Sequence, residues 1–179
     1  MEGKVTVFDI FLNTMKIPVS FPSLAATTLI VGTLCLGCRE EKRAGEAPFL
    51  SLKTYSGEIL AISPKDNQVT LVVFWATWCR PCLMEIPTLV ELQEKYRARG
   101  LRVVGVNVDD PEGGKVRPIL EHFGVNYSVV ISTDETVRKF GGIYGLPTSF
   151  IIGRNGLIKD KIEGLAPPEI LEGKVLAEL

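Results

Sequence analysis

Residues 68–82 read QVTLVVFWATWCRPC, and this stretch decides the fold. Its first nine residues form a near-continuous apolar run rich in β-branched side chains, the mark of a strand buried on both faces. Downstream, over 81–99, apolar residues recur at helical spacing at Leu83, Ile86, Leu89, Val90 and Tyr96. Gly100 is placed to close that helix as the residue after its last turn. Cys79-Arg80-Pro81-Cys82 therefore falls where a buried strand hands over to a helix N-terminus.

That position has chemical meaning. Unpaired backbone N–H groups and the helix dipole favour an anion there, so the first cysteine is held towards its thiolate. Lowering a thiol pKa from about 8.5 to about 7 stabilises the thiolate by roughly 2 kcal/mol. Arg80 adds positive charge beside it, and Pro81 suits a first helical turn because its missing N–H would have no partner. Cys82 lies nearly one turn on, where its sulphur can reach back to Cys79 and resolve a mixed disulfide.

Working outward, 101–108 (LRVVGVNV) reads as a second buried strand, 115–123 as a helix stopped by Gly124, 127–131 as a strand and 135–140 as a helix. Segments 148–152 and 157–162 pair across Gly153-Arg154-Asn155-Gly156, whose Asn-Gly is a hairpin signal. A last helix is entered through Pro167-Pro168. On the N-terminal side, 49–53 and 58–62 flank Tyr55-Ser56-Gly57 as a β-hairpin. The pattern predicts an α/β domain with a mixed central sheet over 49–179.

Upstream, residues 17–36 (IPVSFPSLAATTLIVGTLCL) carry no charge, and Lys16 precedes them. Residues 1–38 therefore read as a signal or membrane-anchor segment, and 39–48 (REEKRAGEAP) as a flexible tether. Leu34-Cys35-Leu36-Gly37-Cys38 resembles a bacterial lipobox with Cys38 as the lipidated residue, although Cys35 stands where that pattern has leucine. An uncleaved anchor and simple secretion are the alternatives. All three place the domain outside the cytoplasm. Glu2 and Asp9 make residues 1–14 a poor leader start, so Met15 is the expected true start.

Composition excludes other classes. Of 179 residues, 46% are hydrophobic, enough for a core that needs no disulfide staples. The net charge of −1 and the lack of a basic stripe give no footing for nucleic acid. The four cysteines form two C-x-x-C pairs, a spacing that also suits zinc. The Cys35/Cys38 pair, however, sits in an apolar run where zinc knuckles are not found, so no metal site is expected.

Residues 74–82, FWATWCRPC, resemble the active site of the thioredoxin superfamily, and 145–150, GLPTSF, resemble its cis-proline loop. The resemblance covers 47–179 and is closest to the TlpA/ResA-type membrane-tethered thiol–disulfide oxidoreductases. Residues 111–134 resemble the helix and strand that this branch inserts in mid-fold, and 82–87 (CLMEIP) its segment after the second cysteine. It implies a thioredoxin fold, a cis Pro147 facing the disulfide, and contacts to a partner from Trp78, Leu146 and Thr148 alongside Arg80 and Pro81. Thioredoxins carry a buried aspartate where this chain has Val73; Glu85, one turn beyond Cys82, is then the candidate base for the resolving thiol. The same resemblance implies apocytochrome c as the best single client, a membrane thiol reductant that recharges the pair, and the Cys79–Cys82 disulfide as the redox group with no added cofactor.

A thiol peroxidase is a second reading, since Thr77 precedes Cys79 by two residues, but the usual Pro-x-x-x-Thr-x-x-Cys pattern is absent. A metal-carrying module is a third. His122, the lone histidine, reads as a surface helix residue, and Asp109, Asp110 and Glu112 as a solvated acidic loop.

Overall fold

The computed structural model describes residues 45–63 and 66–179. β1 (Leu50–Lys53) and β2 (Ile59–Ile62) pair antiparallel as a two-stranded sheet of their own. The hairpin matches expectation. Its alternation turns Leu50, Leu52 and Ile62 inward, where they pad one face of the main sheet.

β3 (Val69–Trp75) is buried along its whole length. It leads to α1 (Arg80–Tyr96), which tightens into a short 3₁₀ turn over Arg97–Arg99 and ends at Gly100 with φ 93°. The helix expected over 81–99 is therefore α-helical only to Tyr96. Glycine closes it because left-handed backbone is open to it without penalty. β4 (Leu101–Asn107), α2 (Val116–His122), β5 (Ser128–Ile131), α3 (Asp134–Lys139), β6 (Thr148–Ile152), β7 (Ile158–Glu163) and α4 (Pro168–Leu176) follow. The region expected to hold an extra helix and strand contains α2 and β5.

The five-stranded sheet runs β5-β4-β3-β6-β7. β4 lies parallel to β3 and to β5, whereas β6 is antiparallel to β3 and β7 to β6. This is the expected mixed sheet, and its place at the centre explains why β3 carries no polar face. Val72 and Phe74 pack with the hairpin, Phe140 and Phe150. Val69, Leu71 and Val73 pack beneath Leu89 and Leu92 of α1 and Leu171 and Val175 of α4. Phe74 meets Phe140 and Phe150 edge-on, at 5.2 and 5.9 Å between ring centroids.

The tether expected over 39–48 gives way to packed structure at residue 45. The Ala47 N–H donates to the Gly156 carbonyl at 2.8 Å, and Ile158 N–H to the Gly45 carbonyl at 2.7 Å. Ala47 and Pro48 are buried, because the β6–β7 turn offers backbone partners that a charged tether would otherwise find only in water. The readings placed on residues 1–38, including Met15, Cys35 and Cys38, lie outside the described residues. Among the described residues, no helix is long and apolar enough to cross a membrane.

Candidate functional site

Cys79 is the N-cap of α1, with extended backbone (φ −82°, ψ 97°). It is disulfide-bonded to Cys82, with 5.3 Å between Cα atoms, and the Cys82 N–H points at the Cys79 sulphur at 3.3 Å. When the bond is reduced, that N–H and the helix dipole act on a Cys79 thiolate, and the first turn carries no acid to oppose them. Arg80 and Pro81 are exposed on this turn, and Trp78 is 72% exposed. Cys79 is less open than an attacking thiolate suggests. It is 4% exposed and Cys82 2%, because the bond draws both sulphurs into a cluster with Ala76, Ile86 and the half-buried Leu146.

Glu85 lies on the buried face of α1 with Cys82, Ile86 and Leu89. It is 2% exposed, and neither carboxyl oxygen has a hydrogen-bond partner of normal geometry. Burial pushes its pKa up to about 7, with the Ala166 backbone N–H pulling the other way. A carboxyl with such a pKa exchanges a proton near neutrality, which is what a resolving thiol needs from a neighbour. Val73, on the strand beneath, is apolar and fully enclosed, whereas Glu85 brings a carboxyl to the buried face of α1 that also carries Cys82.

The Leu146–Pro147 peptide is cis, as the resemblance implied. Pro147 is buried, and its carbonyl accepts from Gly164 N–H at 2.8 Å, tying this loop to the segment after β7. Thr148 does not face outward: its hydroxyl donates to the Gly145 carbonyl at 2.8 Å and the residue is buried. Its side chain fixes the loop, while Leu146 presents the surface beside the sulphurs. Sequence reading passed over Tyr144, which stands fully out into solvent three residues before Pro147. An aromatic residue set among glycines was the available signal.

The acidic loop after β4 is also more than a solvated segment. The Thr77 N–H and hydroxyl donate to Asp109 at 2.8 and 2.6 Å, and the Asn107 side-chain amide donates to it at 2.9 Å. The Tyr55 hydroxyl donates to Asn107 Oδ1 at 3.0 Å and to the Asp110 carbonyl. Asp110 in turn accepts the Lys115 and Val116 N–H groups at 2.7 and 2.9 Å. Those bonds, the one from Val116 foremost, hold its pKa below the ordinary carboxylate value. A part-buried polar net thus pins the loop that carries Trp78 and Cys79. His122 is exposed and lies edge-on to Phe123, 4.9 Å between centroids. Among the described residues, no three of His, Cys, Asp and Glu come together as a metal site.

Comparison with known proteins agrees with this geometry. The model of the AhpC/TSA family matches residues 44–161. The thiol-disulfide oxidoreductase ResA of Geobacillus kaustophilus (strain HTA426) is 32% identical over 126 residues, covering 70% of this chain and 72% of that protein. ResA of Bacillus subtilis (strain 168) is 27% identical over 155 residues, covering 87% and 85%. Among solved structures, a thioredoxin-family thiol:disulfide interchange protein from Chlorobium tepidum TLS superposes with a TM-score of 0.69 at 32% identity, covering 74% of this chain and 94% of that one.

Proposed function

From a chain that belongs to the AhpC/TSA family and, within the thioredoxin superfamily, is a TlpA/ResA-like thiol–disulfide oxidoreductase, we propose an enzyme that reduces disulfides in proteins outside the cytoplasm. The observation that carries the direction of this reading is Glu85. A buried, unpaired carboxyl one turn beyond Cys82 serves a resolving thiol, and resolution completes the reduction of a client.

In the proposed cycle the Cys79 thiolate attacks one sulphur of a client disulfide, and the other client sulphur leaves as a thiolate. Glu85, as carboxylate, takes the proton of Cys82. The Cys82 thiolate then attacks the Cys79 sulphur and expels the second client thiolate. Two electrons have passed to the client, and Cys79–Cys82 is left oxidised, the state in which the pair stands here. A membrane dithiol reductant returns it to the start, and the cysteine pair itself serves as the redox group. The exposed Trp78 and Pro81 and the Leu146 backbone form the surface on which the client strand lies. Apocytochrome c is the client we favour.

Localisation rests on the sequence before residue 45: an uncharged run ending in a lipobox-like Cys38 supports a tethered, extracytoplasmic protein. The thiol peroxidase alternative is less well served, because the Thr77 hydroxyl is engaged by Asp109. Catalysed reduction of insulin by dithiothreitol tests the main reading. The wild-type protein should accelerate it and Cys79→Ala should not, whereas retained activity in Cys79→Ala, or rapid peroxide consumption by the wild type, would overturn it. Loss of membrane partition in Cys38→Ala tests the tether.

A further inference from the structure

Tyr55 belongs to the turn of the β1–β2 hairpin, yet it packs in the apolar cluster that holds Cys79 and Cys82. Its backbone N–H donates to the Val129 carbonyl at 3.2 Å, which seats the hairpin end on β5. On the other side Gly113, at φ 80°, lets the loop before α2 close over the ring. A Cβ at Gly113 would meet Tyr55 Cδ1 at 2.7 Å. The ring is held on two sides, and its hydroxyl is delivered to the end of β4.

From that hydroxyl a continuous line of hydrogen bonds runs to the turn before Cys79. The phenol donates to Asn107 Oδ1 at 3.0 Å and to the Asp110 carbonyl. Asn107 is 2% exposed, and the same oxygen accepts the Asp109 and Asp110 N–H groups at 3.3 and 2.9 Å. Its amide donates to Asp109 Oδ1, the oxygen that also takes the Thr77 N–H. Asp109 Oδ2 takes the Thr77 hydroxyl. The β3–β4 ladder closes with the Val108 N–H on the Trp75 carbonyl at 3.0 Å, and the Asp109 carboxylate serves Thr77, just past the end of β3, in a strand partner's place.

Thr77 and Trp78 lie inside the turn that the Cys79 N–H closes on the Ala76 carbonyl at 3.2 Å. That turn sets where the chain leaves β3, and so where the Cys79 sulphur stands against the Cys82 N–H and the start of α1. The favour a helix terminus shows an anion fades within one turn, so a small displacement of the thiolate weakens it.

We propose that Tyr55 is a positioning residue for disulfide exchange. Through Asn107, Asp109 and Thr77, its hydroxyl holds the turn over 76–79 so that the Cys79 thiolate stays at the α1 N-terminus. The inference rests on the reading of Cys79 as the attacking thiol. The hairpin then serves the reaction as well as covering the sheet.

Tyr55→Phe removes the hydroxyl and keeps the ring. In the reduced Cys82→Ala protein it should slow alkylation of Cys79 by iodoacetamide by about three- to fivefold. In the protein that keeps both cysteines, kcat for insulin reduction should fall by a similar factor. Thr77→Val should slow alkylation likewise, and Thr77→Ser, which keeps the hydroxyl, should restore it to within about twofold of wild type. Because both side chains act along one line of bonds, the double change Tyr55→Phe with Thr77→Val should cost no more than the larger single one. Leu52→Ala strips packing from the same hairpin but lies outside the net, so it should lower the urea midpoint and leave the alkylation rate in place. Wild-type alkylation in Tyr55→Phe, losses that multiply in the double variant, or equal slowing by Leu52→Ala would each overturn the role of Tyr55 while leaving Cys79 as the attacking thiol. Insulin reduction that survives in Cys79→Ala would overturn both.

Discussion

Thr77 and Asp109 are joined twice, once through the threonine N–H and once through its hydroxyl, across the gap between the ends of β3 and β4. The pairing fixes the loop that ends at Cys79 without touching either sulphur. Asp109→Ala would strand the Thr77 hydroxyl and the Asn107 amide and lower stability by about 1–3 kcal/mol. Asp109→Asn, which keeps the shape and some of the bonds, should lose less. Urea unfolding measures both, and the cost should appear in the midpoint with the slope unchanged.

Glu85 ties stability to pH with a definite sign. Its pKa is raised from an ordinary 4.5 to about 7, so the folded state binds the proton more tightly than the unfolded one. Stability from this group is therefore fully present below about pH 4.5 and lost as pH rises through about 7. The loss is about 3 kcal/mol at most. Glu85→Gln should remove it, matching the wild type near pH 4 and exceeding it at pH 8. Thermal unfolding at the two pH values checks this, and a wild-type pH dependence in the variant would refute the assignment.

Gly105 leaves tight room for even one carbon. A Cβ would sit 3.2–3.3 Å from Trp75, Tyr127 and Val129 at once, all three in the packed region beside the cysteines. Gly105→Ala should destabilise by about 1–3 kcal/mol and alter tryptophan fluorescence through Trp75, both readable in one denaturation series.

Trp78 should separate binding from folding. At 72% exposure it contributes little to the core, so Trp78→Ala should stay within about 0.5 kcal/mol of wild-type stability. Insulin reduction should nevertheless drop several-fold in kcat/KM, with KM carrying most of the change. Unchanged kinetics would remove Trp78 from the docking surface.

Much of this was legible in one pass along the chain, for reasons that differ by element. β3 showed itself because a strand covered on both faces has no polar side to confuse its pattern, and Cys79 because strand, proline and second cysteine all act locally. The cis Pro147 came from the resemblance to a known loop. What stayed hidden depends on contacts far apart in sequence. Glu85 could have been a solvated helix residue; its burial depends on the packed fold around it, the Ala166 segment included. Thr148 turned inward because Gly145, three residues earlier, offered its carbonyl. Asp109 and Asp110 read as a wet loop, since nothing in their spacing showed that Thr77 and Tyr55 would fold down onto them. The tether was drawn too long for the same reason: Ala47 has no partner until the β6–β7 turn arrives.

That last contact has a practical side. Gly45 meets the turn after Ile152, which pairs with Thr70 at the start of β3, whereas Cys79 follows the strand's other end. Seven strand residues separate the two, about 20 Å. Any handle upstream of residue 45, whether a lipid, a resin or a sensor chip, therefore pulls on the end of the sheet remote from the disulfide. A Cys82→Ala protein immobilised by its N-terminal side would offer the attacking thiol to passing clients and hold them as mixed disulfides.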